Sequence, residues 1–233
     1  QARTTNKASV ASTNAGTIDL TTGNYTIVIS GAAHSFTTTG TINVPSGRTL
    51  TLQGGAVGGA GQNFFYSGGT MGGAGTVALL NSTLNLNTPL ASDMARLDGT
   101  TATLAGPQPY TVKTGTTVNM NNCSINGTVN VDNGGTFALV SCDGSGTLNT
   151  NGLVEYTGAG TLSGATPFVT SGGSLLRVKG TASLNSSLTC TNGFTNNGAS
   201  ELTASGAATI ATLSVTNGTL VNATLNVGSI SSR

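Results

Sequence analysis

Apolar and polar residues alternate along the chain in short runs of three to five positions, and Gly or Asn-Gly punctuates it every six to ten residues. Ile42 and Val44, then Leu50 and Leu52, are each separated by one polar residue, which is the period-two mark of a strand with one buried face. The pattern recurs. Gly16-Thr17-Ile18-Asp19-Leu20-x-x-Gly23 matches Gly40-Thr41-Ile42-Asn43-Val44-x-x-Gly47, and Gly127-Thr128-Val129-Asn130-Val131-x-x-Gly134 repeats it. The last two continue alike, Arg48-Thr49-Leu50-Thr51-Leu52 corresponding to Gly135-Thr136-Phe137-Ala138-Leu139. A second register sets Cys123-x-x-x-Gly127-Thr128 against Cys142-x-x-x-Gly146-Thr147. Repeats of about two dozen residues, each made of short strands and turns, predict a solenoid whose coils stack as rungs of parallel sheets.

At about 22 residues per coil, residues 16–233 make roughly ten irregular coils, a rod about 50 Å long at the spacing of stacked strands. Residues 1–15 hold Arg3, Lys7 and little that is apolar, and read as an amino-terminal arm that binds a neighbouring subunit. Two stretches break the pattern. Residues 54–75 are glycine-rich, with Phe64-Phe65-Tyr66 at their centre, and read as a loop excursion whose aromatics fold back over the core or, alternatively, form a sugar-stacking or subunit-contact patch. Residues 91–98, Ala-Ser-Asp-Met-Ala-Arg-Leu-Asp, form a short charged excursion and the one segment with helical character.

The segments GTINVPSGRTLTL and GTVNVDNGGTFAL resemble rungs of right-handed parallel β-helix proteins, the group that contains autotransporter passenger domains, filamentous-haemagglutinin-type adhesins, phage tailspikes and pectin-lyase-like enzymes. The resemblance implies an all-β fold, a single right-handed parallel β-helix. It names no substrate, because function resides in sites grafted onto a fold. A two-sheet β-sandwich is the competing architecture, since it too has short alternating strands at regular spacing.

Composition narrows the classes further. Of 233 residues, 42 are Thr, 35 Gly, 23 Ser and 23 Asn, while only 15 are charged, so the residues that usually build helices and coat enzyme surfaces are scarce. Disorder is disfavoured by a net charge of +1 and by the recurring β-branched residues. Eight basic residues scattered over the chain offer no stripe for phosphates, so nucleic acid is not an expected partner. No apolar window is long enough to span a membrane as a helix. The start at Gln1 fits a mature exported chain, secreted or at a cell surface.

Candidate chemistry is sparse. His34 is the single histidine, so a triad or a two-histidine metal site has little to build on, and it reads as a surface or edge residue. Asp132, Asp143 and Glu155 are half a coil apart and are expected on different faces, which disfavours a general acid and base pair. Asp93 and Asp98 flank Arg96, a spacing that suggests a surface ion pair. Cys123, Cys142 and Cys190 match neither a zinc spacing nor a redox C-x-x-C. Cys123 and Cys142 occupy equivalent positions of adjacent coils, where they can stack as buried thiols or close a disulfide. Threonine pairs at strand spacing, Thr49 with Thr51, Thr101 with Thr103 and Thr189 with Thr191, would suit an ice-binding face only if they aligned. No catalytic residue and no cofactor is expected. The reading is a non-enzymatic structural or adhesive solenoid that associates with itself into a fibre, surface layer or matrix and has surface glycans as a further partner. A carbohydrate-binding or carbohydrate-cleaving β-helix is the alternative, an ice-binding solenoid a lesser one.

Overall fold

One turn of the chain shows the plan. Strand Thr117–Asn121 lies in a first sheet, Ser124–Ile125 in a second and Thr128–Val131 in a third, before Thr136–Val140 returns to the first. The pairing between turns is parallel in all three sheets. The protein, a computed structural model, is thus an all-β parallel solenoid with no helix among its described residues. The backbone is described for residues 3–7, 11–31, 34–55, 62–91, 93–142, 144, 146–150 and 153–157, and beyond these for strands between 161 and 232. Side chains are described only within residues 11–154.

Period-two alternation decides which atoms fill the interior. Tyr25, Leu50, Val77, Leu97, Val118, Phe137 and Val154 stack in register along the first sheet and point inward. Two residues on, Ile27, Leu52, Leu79, Gly99, Met120 and Leu139 form a second inward column. The second sheet adds Phe64, Leu84, Leu104 and Ile125, and the third adds Tyr110, Val112, Val129 and Val131. Columns of this kind make one continuous core, in which each turn buries its apolar face only because its neighbours are present.

The corners follow the same repetition. The first sheet hands over to the second through Asn81, Thr101, Asn122 and Ser141, all left-handed with φ between 47° and 51°. Asn tolerates this conformation and a β-branched residue does not, so Thr101 is strained where Asn81 and Asn122 are at ease. Replacing Thr101 by Asn is expected to stabilise the chain by about 1 kcal/mol, read as a higher urea midpoint at unchanged slope. An unchanged or lower midpoint would show that the threonine methyl contributes more than the backbone strain costs.

About six turns are described, rather than the roughly ten expected. The coils are too uneven for an average length to count them: Leu50 pairs with Val77, whereas Phe137 pairs with Val154. Three expected boundaries also shift. The amino-terminal arm is part of the ladder, Arg3–Lys7 pairing with Tyr25–Ile29 and Ala11–Asn14 with Ser35–Thr38, because backbone pairing needs no apolar side chain. The glycine-rich excursion at 54–75 contains two strands, Asn63–Tyr66 in the second sheet and the start of Thr70–Leu80; residues 56–61 lie outside the described set. Its described glycines serve corners and close approaches. The charged segment at 91–98 is not helical but lies mostly within strand Asp93–Thr100. A register shift between Met94 and Arg96 puts Met94 and Leu97 both in the core, and a bulge of this kind mimics the three-residue spacing of a helix.

Candidate functional site

The aromatic run does not form a patch. Phe64 and Tyr66 are buried in the core, and the Tyr66 hydroxyl donates a 2.6 Å hydrogen bond to the Gly69 carbonyl at the next corner. Only Phe65 points outward, half-buried, in register with Thr37 and Asn85. Strand alternation therefore divides three consecutive aromatics between two sides of a wall.

His34 is not a plain surface residue. It lines a cavity of about 170 Å³ with Ile18, Tyr25, Ile27, Ile29 and Phe36 near the first turn, and its buried Nδ1 has no hydrogen-bond partner among the described residues. Its neighbours in the cavity include no carboxylate and no second imidazole. Among the described residues, no three His, Cys, Asp or Glu side chains gather to hold a metal ion.

The acids are scattered. Asp132 sits in the turn between the third and first sheets, Glu155 is in register with Ala138 in the first sheet, and Asp143 lies outside the described residues, as does the Asp93 side chain. Asp98 is taken up by Arg96, whose Nε lies 2.8 Å from both carboxylate oxygens, and by Asn119, which donates a hydrogen bond of 2.9 Å. That ion pair is exposed, so water screens it and its contribution to stability is small. The threonine pairs do not share a face: Thr49 and Thr51 lie on the first sheet, Thr101 is a corner, Thr103 belongs to the second sheet and Thr189 to the third.

Polar side chains on the outer walls are instead bonded to one another from rung to rung. Asn85 donates to Asn63 at 2.8 Å, Asn43 to Asp19 at 3.0 Å and Thr70 to Thr41 at 3.2 Å. These are the sheet analogue of side-chain pairing, and they turn outward hydroxyls and amides into parts of the scaffold.

The two cysteines meet at a corner. In four successive turns the residue after the left-handed corner is small and buried: Ser82, Ala102, Cys123 and Cys142. The Ser82 hydroxyl donates to the Leu52 carbonyl of the preceding turn at 3.1 Å, and the Cys142 thiol makes the equivalent contact with Met120 O at 3.2 Å. Cys123 Sγ receives the Ala102 N–H at 3.4 Å and lies 3.2 Å from Asn121 O. Neither Cys123 nor Cys142 is in a disulfide. They ionise as a pair: the hydrogen bond with Cys142 brings Cys123 down to about 7 against the opposing effect of burial, and the same bond, with burial, pushes Cys142 up. Cys190 lies in strand Ser183–Cys190, its side chain outside the described residues.

No protein-family model matches the chain, nor does any curated protein or solved structure resemble it at a significant level. The class that fold and walls define is a parallel β-solenoid with three sheets, charge-poor outside and continuously apolar inside.

Proposed function

We propose that the chain is a non-enzymatic structural or adhesive solenoid of the extracellular space, a wall-forming rod whose copies pack side by side. The observation that carries this reading is the set of rung-to-rung hydrogen bonds on the outer walls, Asn63 to Asn85, Thr41 to Thr70 and Asp98 to Asn119 among them. Polar groups already bonded within the scaffold make a stiff, nearly uncharged surface, and such surfaces repel each other weakly. Adhesin-type stalks and fibre subunits, which the rungs resemble in sequence, ask for a surface of this kind.

Deleting residues 1–15 would be a poor test, since it removes paired strands from the first turn. Charge placed on a wall is cleaner. Sedimentation velocity and electron microscopy across a hundredfold range of concentration should show assemblies that persist at about 1 M salt, where the Debye length is about 3 Å. A Thr51→Lys and Thr111→Lys double variant, altering outward positions of the first and third sheets, should dissociate them. A monomer at every concentration, for the unaltered chain, would end the assembly reading.

A further inference from the structure

The inward column of the first sheet has one gap. Between Leu79 and Met120 in register stands Gly99, a residue with no side chain at a core position that its neighbours fill with Leu or Met. A glycine here costs strand stability and buries no apolar area, so something else must occupy the space. Sulfur occupies it. The point where a Gly99 Cβ would sit lies 2.5 Å from Met120 Sδ, 2.9 Å from its Cε and 3.2 Å from Cys123 Sγ, so the Met120 thioether fills the space and lies beside the Cys123 thiol. Cys142 follows at the equivalent corner of the next turn, its thiol 3.2 Å from the Met120 carbonyl.

We propose that Met120, Cys123 and Cys142 form a Cu(I) site, a thioether and two thiolates gathered beside Gly99. The donor set is all sulfur, and soft thiolate and thioether ligands select Cu(I) among the ions common in solution. Zinc is disfavoured. Structural zinc sites take four ligands, and no His, Asp or Glu of the described residues stands with these sulfurs as a fourth. The surroundings are Leu79, Leu97 and Leu139 along the same two columns, a dry shell that protects a cuprous ion from water. Ala102 N–H, already directed at Cys123 Sγ, supports negative charge on that sulfur. Asn121 and Asn122 at the same corner are exposed, so the buried Cys123 thiol lies one residue from solvent-facing backbone. Binding is a ligand exchange without redox change: Cu(I) leaves its chelator, two Cu–S(thiolate) bonds form and up to two thiol protons pass to solvent.

The test uses the full chain, reduced and anaerobic, titrated with Cu(I) against bathocuproine disulfonate. One Cu(I) per chain is expected to be withdrawn from the chelator, with an X-ray absorption spectrum showing only sulfur neighbours. A Cys123→Ser and Cys142→Ser double variant should lose at least 100-fold in affinity, and Ser82 at the equivalent corner shows that the fold accepts serine there. Met120→Leu should keep the stoichiometry and bind roughly tenfold more weakly. Cys190→Ser should bind as the unaltered chain does. The proposal is overturned if no copper is withdrawn, if the double serine variant competes equally well, if Met120→Leu is unchanged, or if Cys190→Ser abolishes binding. Circular dichroism of each variant separates a lost ligand from a lost fold.

Discussion

Replacing Gly69 with alanine is expected to destabilise the chain by at least about 3 kcal/mol, the larger part of it steric rather than conformational. Gly69 leads from the second-sheet strand Asn63–Tyr66 into strand Thr70–Leu80 with φ of +77°, and a Cβ there would collide with the Gly40 carbonyl of the preceding turn. Gly40 itself stands against the Gly16 carbonyl, so the corner is a column of backbone packed on backbone. Gly47 supplies the control. It has almost the same φ, +72°, but nothing lies within 4 Å of where its Cβ would be. Gly47→Ala should therefore cost only the left-handed penalty, about 1 to 2 kcal/mol. Urea unfolding of both variants decides the matter, and equal losses would mean that the corner column yields where its geometry says it cannot.

The second large effect is expected at Phe137. Its ring is fully buried between Val118 and Val154, which pair with it on the turns to either side. Neither valine can reach into the space a deleted ring would leave, so Phe137→Ala should cost about 3 to 5 kcal/mol. Val140→Ala, three residues away at a site 40% exposed, should cost little. A loss below about 1 kcal/mol at Phe137 would show that neighbouring turns can slide together to close the gap, contrary to the stiffness of a laddered solenoid.

These two sites also mark what could be read from the chain alone. The Phe137 strand was legible because alternation over Thr136-Phe137-Ala138-Leu139 states both element and buried face, and the offset between Cys123 and Cys142 placed them on neighbouring coils. Segments where alternation is broken were not legible. Met94 and Leu97 look helical until the bulge between them is known, and Phe64-Phe65-Tyr66 reads as one apolar block although the strand splits it. Gly99 was hidden for a different reason. Whether a glycine is a turn, a corner or a gap in a column depends on which residues the neighbouring turns bring opposite it, and that register is nonlocal. Met120 joins the two cysteines only through such a gap.

The turns at Gly47 and Gly115 differ from the glycine column in one practical respect. At Gly47 and Gly115 the chain turns with open space around it, whereas at Gly40 and Gly69 it turns against the carbonyl of the turn before. At these two glycines the rod therefore has an edge where a side chain or a tag can hang outward, whereas a Cβ at Gly75 or Gly135 nearby would meet the carbonyl of Pro45 or Val112. Along that edge grafted groups would stand at multiples of the rung spacing of about 4.8 Å, a molecular ruler for displaying ligands at set separations.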